Sequence, residues 1–246
     1  MHIIVINGSR RKKNTYYVLK EIEKTLTYIN PNISVEYIHL YDYDISYCNG
    51  CENCITKDIC HINDDMEILM NKLINCDGII ISSPVYMMQI SGKLKTFIDR
   101  TCKWFHRPQL VGKPILSVCT TQGSGLKDSL KYLNTVAIEW GAAPCGTIGK
   151  NHSSISNPLT NKDIKTIKNF ALFNKEHYSP TYFQLIMFQV QKVLALCILD
   201  YDKEYWHKNG YDVSNYFFEA KISTSKKLAS NMFYKMLKNK MDKSNN

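Results

Sequence analysis

The sequence predicts an α/β fold: a doubly wound parallel sheet over residues 1–150 and a helical C-terminal extension over residues 151–246. Three observations carry the prediction. Short β-rich runs alternate with helix-length segments through the first 150 residues, the pattern of strand–helix crossover units. Three of those runs are almost continuously apolar, as strands covered on both faces must be. Beyond the polar, Ser/Asn-rich stretch "KNHSSISNPLTNKD" (150–163), no segment alternates convincingly as a strand would.

Taken in order, "HIIVIN" (2–7) is the first strand and leads to a helix over 14–29. "ISVEYIHL" (33–40) is the second strand, and a helix over 64–75 follows a cysteine-rich loop. Its start is signalled by Asp64-Asp65-Met66-Glu67, an Asp N-cap with Glu three positions on. "GIIISS" (78–83) is the third strand. The helix over 91–104 after it starts at Ser91 and keeps Ile90, Leu94, Phe97 and Ile98 on one face. "PILSVC" (114–119) and "APCGTIG" (143–149) are the fourth and fifth strands, with a helix over 125–140 between them. The extension reads as helices over 160–177, 181–199 and 214–238, without internal repeats.

Composition narrows the class. With 246 residues, 44% of them hydrophobic, the chain can bury one sizeable core with an appendage and is not disordered. The opening "MHIIVINGSR" lacks a cationic lead and a small-residue cleavage site, so it reads as a strand and not a signal peptide. "YFQLIMFQVQKVLALCIL" (182–199) is interrupted by Gln184, Gln189, Gln191 and Lys192, which favours an amphipathic helix packed on the body over a membrane span. Nine cysteines without an export signal point to a reducing, cytoplasmic setting. The formal charge of +9 raises nucleic acid as a partner. The lysines are scattered, however, no recognised nucleic-acid motif accompanies them, and "KNKMDKSNN" reads as a solvated tail, so no nucleic-acid partner is expected.

Chemistry concentrates in loops at strand ends. The first strand runs into "NGSRRKKNT" (7–15), where a helix N-terminus, the side-chain donors Ser9, Asn14 and Thr15, and the charge of Arg11 suit a terminal phosphomonoester. The loop is neither GxxxxGK[ST] nor GxGxxG, which disfavours a P-loop and the usual dinucleotide site. "SSPVYMMQISGKLKTFIDR" (82–100) and "TTQGSG" (120–125) leave the carboxyl ends of strands three and four, the edge where open α/β sheets bind ligands. Pro84-Val85-Tyr86 offers a rigid turn, apolar contact and a ring, while Gly123 and Gly125 allow close backbone approach to a flat ligand. One anion loop and two loops suited to a planar heterocycle describe a flavin mononucleotide (FMN) site.

On "GSRRKKNT", "SPVYMMQISGKLKTFIDR", "TTQGSG" and the cysteine run followed by "INDDM", residues 1–150 resemble the flavodoxin-like NAD(P)H-dependent FMN reductases, particularly their iron–sulfur flavoprotein branch. The resemblance implies a flavodoxin-like five-stranded parallel sheet in the order 2-1-3-4-5, with FMN at its carboxyl edge. It implies that Ser9, Arg11, Asn14 and Thr15 hold the phosphate and that Pro84, Val85, Tyr86, Thr121, Gln122 and Gly123 line the isoalloxazine. Arg10 stands where loops of the family often have Pro. A homo-oligomer, dimeric or larger, is implied as well. The segment "DYDKEYWHKNGYD" (200–212) is similar to the helical extension of some clostridial-type members, where it would cover the domain or form a dimer surface.

The run "SYCNGCENCITKDIC" spaces Cys48, Cys51, Cys54 and Cys60 as C-x2-C-x2-C-x5-C. Three thiols at three-residue intervals can wrap three corners of a cubane, with a fourth arriving a few residues on. The resemblance implies a [4Fe–4S] cluster on these four; zinc and free or redox thiols remain open readings. Cys76, Cys102, Cys119, Cys145 and Cys197 read as small buried hydrophobes. Trp104 and His106, after the third helix, either approach a flavin or form a satisfied surface pair. No Ser/His/Asp or paired-carboxylate arrangement is present, and hydride transfer to flavin asks the protein for positioning more than for an acid or base.

The expected activity is that of an FMN-dependent oxidoreductase. NAD(P)H, or reduced ferredoxin, delivers electrons, and a small molecule such as a quinone, a nitro-compound or O2 accepts them. Two other classes stay open: an electron carrier between partner proteins with no substrate of its own, and a regulatory protein whose cysteines sense redox state.

Overall fold

The computed structural model describes residues 1–244. Five strands, β1 (His2–Asn7), β2 (Ser34–His39), β3 (Gly78–Tyr86), β5 (Pro114–Thr120) and β6 (Ala143–Lys150), form a parallel sheet ordered β2-β1-β3-β5-β6. The two-residue β4 (Gln89–Ile90) folds back antiparallel on the end of β3. Counting only parallel strands, this is the expected flavodoxin-like 2-1-3-4-5 order. The helices between strands are α1 (Asn14–Ile29), α2 (Asn53–Thr56), α3 (Met66–Asn75), α4 (Gly92–Asp99), α5 (Lys103–His106) and α6 (Leu126–Glu139). After β6 come α7 (Asn161–Ala171), α8 (Tyr182–Cys197), α9 (Asp200–Lys208) and α10 (Thr224–Ser244).

The two-residue period of the strands divides the core into two layers. Ile4, Ile6, Ile79, Ile81 and Ile115 face α3, α4 and α6, where Leu69, Leu73, Leu94, Phe97 and Leu133 meet them. Ile3, Val5, Ile80, Leu116, Val118 and Ile148 face the other way, onto Val18, Leu19, Ile22 and Leu26 of α1 and Ile167 and Phe170 of α7. Each such fully buried aliphatic side chain contributes roughly 1.5–3 kcal/mol over an exposed one. A third cluster, built on Leu185, Phe188, Trp206, Tyr216 and Phe217, belongs to the C-terminal segment.

Several elements depart from their sequence-predicted form. The helix expected over 91–104 breaks into α4 and α5. In the break, Thr101 donates to the Ile98 carbonyl and accepts from the Trp140 indole, which seats Trp104 edge-on against Trp140 in the core. α9 falls between the helices predicted over 181–199 and 214–238, in the segment likened to a helical extension, and the helix expected over 214–238 occupies 224–244 instead. Residues 214–223 lie outside any helix because Tyr216 and Phe217 are drawn into the aromatic cluster around Trp206. The tail "KNKMDKSNN" continues α10 to residue 244, with 245–246 outside the described residues. The expected capping box at Asp64 is absent as well. Asp65, the N-cap, receives its hydrogen bond from the Asp44 backbone, while Asp64 accepts from the Met66 N–H that opens the helix and pairs elsewhere, as described below.

The polar interruptions of α8 also face the opposite way from an amphipathic expectation. Gln184, Gln189, Gln191 and Lys192 are buried, while Phe183 and Ile186 are exposed. Gln191 donates to the Phe105 and Glu139 carbonyls and Gln189 to Ser230, so these amides tie α8 to the sheet domain and to α10. Among the described residues, no helix is long and apolar enough to cross a membrane.

Candidate functional site

The loop after β1 is held from beneath by polar bonds that leave its outer face free. Asn7, fully buried, accepts from the Ser9 backbone and donates its amide to His39 Nδ1 at 3.0 Å. Burial, with Lys12 nearby, pushes the His39 imidazole below its ordinary pKa. Gly8 lies so close to the next crossover that a Cβ there would meet the Ser82 carbonyl at 2.9 Å and Leu94 at 3.0 Å. Ser9 Oγ donates to the Arg11 carbonyl, which curls the chain into α1. The N-terminus of α1 has no side-chain cap and no acid in its first turn, and Arg10, Arg11, Lys12 and Lys13 around it are exposed. Free N–H groups and positive charge at a helix start make an anion site. Asn14 opens this turn, and Thr15 is anchored by a 2.7 Å bond to Thr120.

The second loop is a tight hairpin. Pro84, Val85 and Tyr86 end β3, Val85 pairs with Ile90 and Tyr86 with Gln89, and Met87 and Met88 make the turn with φ of 44° and 69°. Left-handed backbone at both turn positions is what a two-residue hairpin with the strands' twist requires, and it costs a non-glycine residue of order 1 kcal/mol or more. Below the hairpin, Ser83 Oγ accepts from the Ser91 backbone, and Ser91 caps α4 while donating to the Gly8 carbonyl at 2.7 Å. The first two loops are thereby bonded to each other.

The third loop meets the hairpin from the other side. Gly125, at φ 84°, packs against the backbone of Met88, and Ser124 Oγ lies 3.0 Å from the Met88 sulfur. Thr121 Oγ1 accepts from the Gly123 backbone and donates to the Ser124 carbonyl, which shapes the turn. Gln122 is exposed and reaches His152 at 2.7 Å, while a Cβ on Gly123 would meet no protein atom within 4 Å. All ten residues expected from the sequence around FMN therefore lie at one sheet edge, in the loops after β1 and β5, the first turn of α1 and the end of β3. Sequence reasoning missed the pieces that join those loops, namely Thr120, Ser83 and the Met87–Met88 turn, and saw in Ser91 only a helix start. None of these connections carries a local signal, since each acts through a partner far away in the chain or, for the turn, without the usual Asn-Gly.

The cysteine loop follows β2 and is fastened to the body by two buried arginines. Arg100 pairs with Asp64 through both guanidinium NH2 groups and donates to the Ser46 carbonyl. Burial alone would raise the Asp64 carboxyl. The Arg100 hydrogen bond and the Ser46 and Met66 N–H groups outweigh it and hold the carboxyl below its usual range. Arg107 pairs with the fully buried Asp202 of α9, which also binds His106, and donates to the carbonyls of Cys54 and Ile55. His106 and Trp104 are thus structural: Trp104 is core and not the surface residue expected.

The four run cysteines do not converge. Cys51 lies 3.4 Å from His61 Nδ1, Cys60 accepts from Arg100 at 3.5 Å, and Cys54 meets Cys102, 3.4 Å between sulfurs. Among the described residues no group of three His, Cys, Asp or Glu side chains is placed to hold a metal ion. The loop as folded therefore does not fit a [4Fe–4S] cluster or tetrahedral zinc, each of which needs four thiolates facing one point. The Cys102 hydrogen bond lowers the Cys54 thiol pKa, and the same contact with Cys54, together with burial, raises that of Cys102. Cys76 and Cys119 are buried, as expected of small hydrophobes, and Cys145 and Cys197 are partly so. Beside the loop lies a cavity of about 570 Å³, walled by Cys54, Cys60, Met70, Arg100, Lys103 and Arg107 among others. It is separate from the three loops of the sheet edge.

Residues 1–153 match the NADPH-dependent FMN reductase family. The chain is 31% identical to an iron-sulfur flavoprotein of Archaeoglobus fulgidus over 86% of its own length and 100% of that protein's. To an iron-sulfur flavoprotein of Clostridioides difficile it is 29% identical, over 80% of this chain and 88% of the other. Among solved structures it is similar to RosB, determined with bound intermediate 8-demethyl-8-formylriboflavin-5'-phosphate. The TM-score is 0.56 at 11% identity, over 91% of this chain and 92% of that one, a likeness of fold that extends into the C-terminal helices.

Proposed function

Because the chain belongs to the NADPH-dependent FMN reductase family, we propose that it binds FMN at the carboxyl edge of its sheet and carries electrons from NAD(P)H, or from a reduced ferredoxin, to a small acceptor such as a quinone, a nitro-compound or O2. The observation that carries this reading is the start of α1, uncapped, free of acid in its first turn and framed by exposed Arg10, Arg11 and Lys12. Ser9, Arg11, Asn14 and Thr15 would hold the phosphate there. Pro84, Val85, Tyr86, Thr121, Gln122 and Gly123 would line the isoalloxazine. Bound FMN supplies hydride uptake and release of electrons singly or in pairs.

The chain's own part is orientation. The Thr15–Thr120 and Ser91–Gly8 bonds set the phosphate loop against β5 and α4, and the packing of Met88 on Gly125 sets the two ring-lining loops at a constant spacing. Gln122, steadied by His152, and the open backbone at Gly123 present polar groups where a flat ring would rest. The cysteine loop is assigned no step. To hold a cluster or zinc, Cys54 would have to leave Cys102 and the other three thiols turn toward it. A cytoplasmic homo-oligomer fits nine free thiols and the exposed stripe Leu228, Met232 and Met236 on one face of α10.

Anaerobic purification with a visible spectrum, and analysis for iron, sulfide and zinc, is the direct test. Flavin absorbance, or tight binding of added FMN by the colourless protein, is expected; a protein with neither overturns the proposal. Steady NAD(P)H oxidation with a quinone or nitro acceptor identifies the enzyme, whereas reduction by a partner protein alone identifies an electron carrier.

A further inference from the structure

Cys54 and Cys102 stand on two different elements, 48 positions apart, with sulfurs 3.4 Å from each other. Packing and not the thiols themselves enforces the approach. Arg107, just beyond α5, donates to the Cys54 carbonyl at 2.6 Å and the Ile55 carbonyl at 3.1 Å, and is itself locked by buried Asp202. Asp58, after α2, pairs with Lys103 at 3.3 Å and Arg107 at 3.4 Å. α2 is therefore clamped on α5 whatever the sulfurs do. A disulfide needs about 2.05 Å between sulfurs, a closure that side-chain rotation supplies when the backbones are already docked.

The surroundings also give the two thiols different roles. Cys54 lines the 570 Å³ cavity beside the loop, and Cys102 is not among its lining residues.

We propose that Cys54 and Cys102 form a reversible disulfide, made by exchange with a small disulfide that reaches Cys54 through this cavity. Cys54 gives its proton to solvent and attacks one sulfur of the small disulfide as a thiolate, and the first thiolate it expels takes a proton up from solvent. The Cys102 thiol then attacks Cys54 Sγ, the second thiolate leaves, and the Cys102 proton passes to it. Two protein thiols lose two electrons, and the small disulfide is reduced to two thiols. The product removes Cys54 from the C-x2-C-x2-C-x5-C set, so oxidation and a four-thiolate metal site on that run exclude each other.

The test uses the full chain with its flavin retained, metal removed by chelator, and thiols reduced anaerobically. It is exposed to oxidised glutathione, its remaining thiols are alkylated, and its peptides are mapped by mass spectrometry. The expected dominant cross-link joins Cys54 to Cys102, lighter by two hydrogens and reversed by dithiothreitol. C48S, altered at an exposed residue, keeps that link, and C102S replaces it with a lasting glutathione adduct on Cys54. Cross-links confined to Cys48, Cys51 and Cys60, or an unresolved adduct on Cys54 in the unaltered chain, would overturn the proposal.

Discussion

Thr15 and Thr120, 105 positions apart in the chain, hold their hydroxyl oxygens 2.7 Å from each other inside the protein. One belongs to the first turn of α1 and the other ends β5, so this single bond places the anion loop relative to the third loop. Thr120→Val leaves the Thr15 hydroxyl buried without its partner, at a cost of about 1–3 kcal/mol. The double variant T15V/T120V, with both hydroxyls gone, is expected to recover most of that loss. Urea midpoints at constant slope read both effects, and a double variant no more stable than the single would refute the pairing.

Arg11 makes no ion pair or side-chain hydrogen bond among the described residues and is exposed. Arg11→Ala should leave stability within about 0.5 kcal/mol. It should weaken FMN about tenfold or more, since a hydrogen bond to a charged group contributes about 1.5–3 kcal/mol. Flavin fluorescence titration at low and high salt distinguishes the cases; equal dissociation constants for the variant and the unaltered chain would remove Arg11 from the phosphate site.

The two glycines of the third loop should behave differently. A Cβ on Gly125 would lie 2.6–2.8 Å from the backbone of Met88, and its φ of 84° already strains other residues. Gly125→Ala is therefore expected to lower stability by more than about 1 kcal/mol and FMN affinity with it. Gly123→Ala meets no protein atom within 4 Å and should affect FMN affinity alone. Thermal melts with and without FMN separate the two, and a destabilised G123A would contradict the assignment.

Breaking the buried Asp64–Arg100 pair should be costly, because it leaves an uncompensated charge: Asp64→Asn is expected to lose about 3–5 kcal/mol. The folded carboxyl sits below its usual range, so its stabilisation is complete above the unfolded value of about 3.9 and fades as pH falls through the lower folded value. The gap between D64N and the unaltered chain should accordingly narrow in acid. A gap that widened below about pH 4 would show that the sign is wrong.

If the stripe Leu228, Met232 and Met236 joins two copies, Met232→Lys should shift the protein to monomers at unchanged helicity. Light scattering behind a sizing column measures this. A mass unaffected by the substitution would assign any oligomer to another face.

What could be read along the chain was what repeats locally. The runs at 2–7 and 14–29 became β1 and α1 at their predicted bounds, because apolar spacing reports which faces a segment must bury. Asp64 shows the limit of such reading. Its sequence signal was a helix cap, and it does accept from the Met66 N–H that opens α3, but the guanidinium 36 positions away that pairs with the same carboxylate left no local trace. In the same way the aromatics of 214–223 promised a helix and were taken instead by the cluster around Trp206.

The sequence by itself determined the sheet, its loops and the kind of ligand those loops suit, since strand periodicity and helix starts follow from neighbouring residues. Only the tertiary structure decided how the loops are joined and where the thiols point. The Thr15–Thr120 bond, the left-handed Met87–Met88 turn against Gly125 and the turning of Cys54 to Cys102 each depend on distant segments packed together. No local pattern encodes a distance between side chains so far apart in the chain.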